Sequence, residues 1–127
     1  MTAEVRKAIS EIEASFPDSE VYYREDGEGG AYVNIDPVET GSLYHQNETW
    51  MGFHITFQYP NADVYPHYIR SDLSRIDRKP LGAGFSPTTF EGRPATQISR
   101  RSNKLNPRLD TAALKAQKVL KWLREQT

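Results

Sequence analysis

At 127 residues the chain has the length of one domain, able to bury roughly 65% of its unfolded surface in a single core and too short for a second. With 37% hydrophobic and 26% charged residues, Trp 2, Tyr 7, Phe 5 and no cysteine, it reads as a globular domain without disulfides, thiolate metal sites or thiol nucleophiles. The formal net charge of -1 hides an asymmetry: from Arg93 onward nine Lys/Arg face only Asp110 and Glu125, so an acidic partner for the C-terminal third is expected, or a solvated basic face folded back toward the acidic half.

Val5, Ala8, Ile9, Ile12 and Phe16 recur at helical spacing and Pro17 ends the pattern, which predicts a helix over 3–15 rather than a signal peptide. No apolar run approaches the roughly 20 residues of a membrane span, so a soluble, cytoplasmic protein is expected. "EVYYRE" and "AYVNI" flank "DGEGG", a hairpin connection with Asp26-Gly27 as its turn. In "WMGFHITFQY", Met51, Phe53, Ile55, Phe57 and Tyr59 alternate with Gly52, His54, Thr56 and Gln58, the mark of a strand with one face on a core. "HYIRSD" supplies a further strand.

Residues 73–92 show no sustained period and read as a long irregular segment of the kind that carries function or an interface. "ATQISR" reads as a short extended piece. Asp110 is placed to cap a last helix, "TAALKAQKVLKWLREQ", with Ala113, Ala116, Leu120 and Leu123 facing inward and Lys115 and Lys118 outward. The fold class is α+β: an N-terminal helix, an antiparallel meander of about four strands, a long irregular segment and a C-terminal helix.

Chemistry-bearing residues are sparse. His45, His54 and His67 lie far apart without an acid in ligand spacing, so no metal is expected, and the glycines do not open a helix after a strand, so neither is a phosphate loop or other cofactor site. Carboxylate pairs such as Asp36 with Asp63 or Asp72 show no cleft in the sequence, and Ser86, Ser99 and Ser102 show no activating neighbour. "ISRRSNK" and the lysines of the last helix together could neutralise phosphates, which keeps a nucleic-acid-binding module open as a reading.

The segment "FHITFQYPNADVYPHYIRSD", a strand running into Tyr-Pro, a second Tyr-Pro and then another strand, resembles ubiquitin-conjugating enzymes and the related RWD domains, where the third strand leads into a "YP…P" turn before the fourth. The family's Gly-x-x-Cys-x-x-Ile segment, polar stretch, proline turn and helix are similar to "GRPATQI", "SRRSNKLNP" and "RLDTAALKAQKVLKWL". Helix, strands, turn, active-site segment and helix then cover nearly the whole chain, as in small bacterial relatives that act with ubiquitin-like modifiers. The resemblance puts Ala95 at the nucleophile's position and replaces the family's His-Pro-Asn by residues near "GFSP". It implies a non-catalytic variant, an adaptor that binds a ubiquitin-like protein or its activating or conjugating enzyme through Arg100, Arg101 and Lys104, with Arg93 beside them. The alternative it leaves is an active conjugating enzyme whose cysteine has been replaced at Ala95.

Overall fold

Thr2 opens the first helix, α1 (Ala3–Ser15), by accepting a hydrogen bond from the Val5 amide on its Oγ1 at 3.1 Å, which satisfies one of the amides that a helix start leaves free. Val5, Ala8, Ile9 and Ile12 form the buried stripe, and the helix ends before Pro17, as its spacing predicts. The computed structural model describes residues 1–127.

Six strands follow: β1 (Glu20–Glu25), β2 (Ala31–Glu39), β3 (Glu48–Ile55), β4 (His67–Arg70), β5 (Phe85–Phe90) and β6 (Arg93–Ile98), then helix α2 (Ala112–Arg124). They form one antiparallel sheet in the order β1-β2-β3-β4-β6-β5. The α+β class is therefore as expected, with six strands in place of about four. The first four run as a meander; β6 then slots between β4 and β5, so the sheet continues into the segment read as irregular.

Each turn has a local cause. Between β1 and β2 the Asp26 carboxylate accepts from the amides of Glu28 at 2.7 Å and Gly30 at 3.0 Å, while Gly27 and Gly29 take positive φ. Between β5 and β6 only Glu91 and Gly92 intervene, at φ of 51° and 78°, the left-handed pair that a tight hairpin needs. Along β2 the pairing with β3 shifts register between Ile35 and Val38, where Pro37 has no amide to donate.

Both helices cover one face of the sheet. Val33, Ile35, Met51, Phe53, Ile55, Ile69 and Ile98 project into a core closed by Ile9 and Ile12 of α1 and by Ala116, Leu120 and Leu123 of α2. Two tyrosines fasten α2 at its ends: Tyr59 Oη accepts from the Ala112 amide at 3.0 Å, and Tyr44 donates to the Leu123 carbonyl at 2.7 Å. Strand β3 stops at Ile55 instead of reaching Tyr59. Phe57 is exposed in the turn that follows, and Tyr59 is buried to serve the helix rather than the sheet.

The outer face carries a second, smaller apolar layer. Phe90 lies over Gly52, where a Cβ would come within 2.4 Å of its ring, and stacks on Tyr68 at 4.5 Å. Tyr32 and Trp50 flank the same ring, and Tyr32 stacks on His54 at 4.2 Å. Gly52 is thus the notch that lets the β5–β6 hairpin fold its aromatic end back across the middle of the sheet.

Helix α2 corrects two details of the sequence reading. Its cap is Thr111, whose Oγ1 accepts from the Leu114 amide at 3.1 Å, while Asp110 accepts from the Asn106 amide at 2.7 Å in the preceding turn. Lys118 faces solvent, whereas Lys115 is turned inward and buried. The reason is periodicity: Ala112 and Val119, three residues before and four after it, are both buried, so Lys115 lies on the inner stripe.

Candidate docking surface

From Ile98, which pairs with β4 and β5, the chain leaves the sheet and crosses toward α2 through residues 99–111. What holds this crossing in place is Asp63, from the turn after β3. Its carboxylate accepts from the Ser102 amide at 2.6 Å, from the Ser102 hydroxyl at 2.7 Å and from the Lys115 ammonium at 3.1 and 3.2 Å, and Lys115 also donates to Ser102 Oγ at 2.8 Å. Burial by itself pushes the Asp63 carboxyl up, but the hydrogen bonds from Ser102 and Lys115 outweigh it and hold the group below its ordinary value. Burial draws the Lys115 ammonium down, opposed by Asp63. Ser102 therefore donates its hydroxyl proton to a carboxylate and accepts from an ammonium. That is the bonding of a brace rather than of an activated nucleophile, which needs a free base beside it.

Braced in this way, the crossing presents the adjacent Arg100 and Arg101 toward two different aromatic rings. The Arg100 guanidinium lies 4.9 Å from the ring centre of Trp122 on α2, and that of Arg101 lies 4.2 Å from the ring of Tyr65. The cleft between the crossing and α2 has a volume of about 270 Å³, with Trp122 and Val119 as its apolar wall and Arg100, Arg101, Lys115 and Lys118 as its cations. Asp110 is the carboxylate that lines it, and Lys118 reaches that group at 3.5 Å.

Arg100 and Arg101 have no carboxylate within ion-pair distance, and neither do Arg93 or Lys104. The acidic half does not fold back to neutralise them: of the nine cations from Arg93 onward, Lys115 alone pairs with an acid of the first 92 residues. Each arginine instead lies over an aromatic ring with no hydrogen bond from its guanidinium to the rest of the chain, which restricts the side chain while leaving its donors free.

Arg93 is not with them. It opens β6 on the outer face, its guanidinium 3.5 Å from the ring centre of Trp50, and burial there lowers its pKa. A strand of this length separates it from Arg100 by roughly 20 Å. Lys104 stands exposed at positive φ in the crossing, outside the lining of the cleft.

Ala95 sits inside the sheet, in the middle of β6, opposite Arg70 of β4 and Thr88 of β5. It is 1% exposed. Its side chain shares the outer face of the sheet with Arg70 and Thr88, so a thiol at this place would lie beneath the side chains of that face, away from the Arg100–Arg101 cleft. The variant Ala95→Cys is accordingly expected to react with an aromatic disulfide reagent at least ~100-fold more slowly when folded than when unfolded, because the side chains that cover the position must move aside to admit the reagent. Rapid labelling of the folded variant would show the position to be open.

The three histidines take separate places: His45 bonds Ser74 at 3.1 Å, His54 bonds Asp26 at 2.7 Å, and His67 is in the core. No helix is long and apolar enough to cross a membrane.

Of the groups that shape the cleft, Asp63, Ser102, Tyr65, Lys115 and Trp122 were not legible as a set in the sequence. The one available signal was the position of Lys115 on the apolar stripe of α2. No protein-family pattern, curated protein or solved structure matches the chain.

Proposed function

We infer that the chain is a non-catalytic binding module of the ubiquitin-conjugating type, which holds a ubiquitin-like protein or one of its activating or conjugating enzymes through the cleft at Arg100 and Arg101. The observation that carries this reading is the pair of arginines stacked on Trp122 and Tyr65 without an acidic partner of their own. Guanidinium groups fixed on aromatic rings beside an apolar wall are the residue types that dominate protein interfaces, and here they select a partner that brings carboxylates. The family reading is supported by the helix, the four consecutive strands with the Tyr-Pro turns between β3 and β4, and the closing helix, while the β5–β6 hairpin departs from it, standing where the family has an irregular segment and its active-site segment. The enclosed Ala95 and the absence of cysteine favour binding over thioester transfer. The setting proposed is a cytoplasmic bacterial pathway of ubiquitin-like modification.

The test is titration of the protein with a ubiquitin-like protein, its activating enzyme and its conjugating enzyme. Arg100→Ala and Arg101→Ala are expected to cost about 1–3 kcal/mol of binding each, while Lys104→Ala, outside the cleft, costs under about 0.5 kcal/mol. Binding that is indifferent to both arginine substitutions would remove the cleft from the interface.

A second reading has its own observation. Lys104, Arg108 and Lys121 add exposed cations without acidic partners to the same side of the sequence. A nucleic-acid partner would then bind with an affinity falling steeply, by roughly the power of the number of phosphates engaged, as salt rises. A carboxylate-bearing protein docked on two arginines gives a much shallower slope.

A further inference from the structure

The sheet has two open edges, and they are built differently. On β5 the edge carries Pro87, which removes a donor from the ladder, and polar Ser86, Thr88 and Thr89, features that keep an edge from pairing with another chain. On β1 there is no proline, no lysine and no covering loop. Five of its six residues are exposed, and no hydrogen bond outside the β1–β2 ladder engages a backbone N–H or C=O of Glu20–Glu25. Tyr22 and Tyr23 are each about half exposed on this bare edge.

The residues of β1 also complement themselves. Glu20, Tyr22 and Arg24 lie on the outer face of the sheet, in register with Asp36, Asn34 and Tyr32 of β2, and read acid, aromatic, base. An antiparallel second copy centred on Tyr22 sets Glu20 of one copy opposite Arg24 of the other, twice, and Tyr22 opposite Tyr22. On the helix side it sets Val21 opposite Tyr23, beside a groove of about 300 Å³ that Tyr23 shares with Met1, Arg6 and Ile9. A shift of one residue opposes side chains from different faces, which a continuous sheet does not allow. A shift of two places Glu20 or Arg24 opposite a tyrosine and loses both ion pairs. Arg24 now meets Glu91 through two 3.0 Å bonds, at 63% exposure, where exchanging one carboxylate for another costs little.

We propose that β1 is a self-pairing edge, through which two copies of the chain join antiparallel about a two-fold axis at Tyr22. The two six-stranded sheets become one, with the helices of both copies on the same side, and the arrangement closes because the edges left outside are the proline-bearing β5 strands. A six-residue strand is a small contact, so the dissociation constant falls on the order of micromolar to ~100 μM.

Sedimentation velocity across a concentration series tests this with the intact chain and three variants, each checked for an unchanged melting transition. Glu20→Arg and Arg24→Glu each set like charges opposite one another at both sites and are expected to weaken the dimer by at least ~10-fold. The double exchange Glu20→Arg with Arg24→Glu restores the pairing. A chain monomeric at every concentration would overturn the proposal, as would a dimer blind to the single exchanges or a double exchange as weak as the singles. Because the chain has no cysteine, a second arm is clean: Tyr22→Cys, at the axis, cross-links to itself under mild oxidation, whereas Tyr22→Cys that stays monomeric while the same oxidant links Tyr23→Cys would refute the register.

Discussion

Leucine in place of His67 is expected to stabilise the protein at neutral pH and to stabilise it more as the pH falls. His67 is fully buried on the inner face of β4, with its ring 5.1 Å from that of Phe53, and neither ring nitrogen has a hydrogen-bond partner. One of those nitrogens carries a proton with no acceptor, a burden of about 1–3 kcal/mol at any pH. Burial holds the imidazole pKa down to about 3, the Lys115 ammonium works in the same direction, and Asp63 opposes it. The unfolded chain therefore takes up a proton as the pH falls through about 6.5, while the folded chain refuses it until about 3. Stability is lost across that window, by about 2 kcal/mol at pH 5 for this residue. Leucine, close in volume and with nothing to titrate, removes both costs. Urea denaturation at pH 7.5 and pH 5 should show His67→Leu ahead by about 1–3 kcal/mol at the first and by about 2 kcal/mol more at the second. A difference that does not widen on acidification would mean that His67 is protonated in the folded state.

The other large effect is expected at Asp63. Removing its carboxylate in Asp63→Ala leaves the Lys115 ammonium, 8% exposed, without its counter-charge and frees the Ser102 amide and hydroxyl together. Breaking a buried pair from one side costs about 3–5 kcal/mol, and here the ammonium left behind keeps only the uncharged Ser102 hydroxyl oxygen at 2.8 Å. Lys115→Met costs less, since Asp63 is 19% exposed and keeps both bonds from Ser102. The double variant should be more stable than Asp63→Ala alone, a coupling that a thermodynamic cycle on the four proteins measures directly. Strict additivity would show the two groups to be independent. The depressed Asp63 pKa adds a pH signature of its own: its contribution is complete above the unfolded value near 3.9 and is lost as the pH falls through the lower folded value. Asp63→Ala should also loosen the cleft, so the binding proposed for Arg100 and Arg101 is expected to weaken although neither arginine is altered.

The legible parts of this fold were those where one physical signal acts alone. Helix α1 and the alternation of Met51, Phe53 and Ile55 follow from burial against a single core, and the Asp26–Gly30 turn follows from glycine and an aspartate side chain. Strand β5 was hidden because an edge strand with Pro87 and three hydroxyl residues buries almost nothing until Phe90. The extension of β3 to Tyr59 failed because the alternation continues past the strand for a different purpose: Tyr59 is buried to meet the Ala112 amide, 53 residues on. Within the candidate site, Arg100 and Arg101 stood out as adjacent cations. Their aromatic supports, Trp122 and Tyr65, and the brace from Asp63 through Ser102 to Lys115 are contacts between distant parts of the chain, which local spacing does not encode.

The two tryptophans have parallel surroundings in different layers. Trp50 lies under Arg93 and beside Phe90 on the outer face, and Trp122 lies under Arg100 and against Phe85 on α2. Each indole is thus a built-in fluorescent reporter whose surroundings change when its own arginine moves. Proteins carrying only one of them separate by wavelength and lifetime what happens at the hairpin from what happens at the crossing, without a foreign dye.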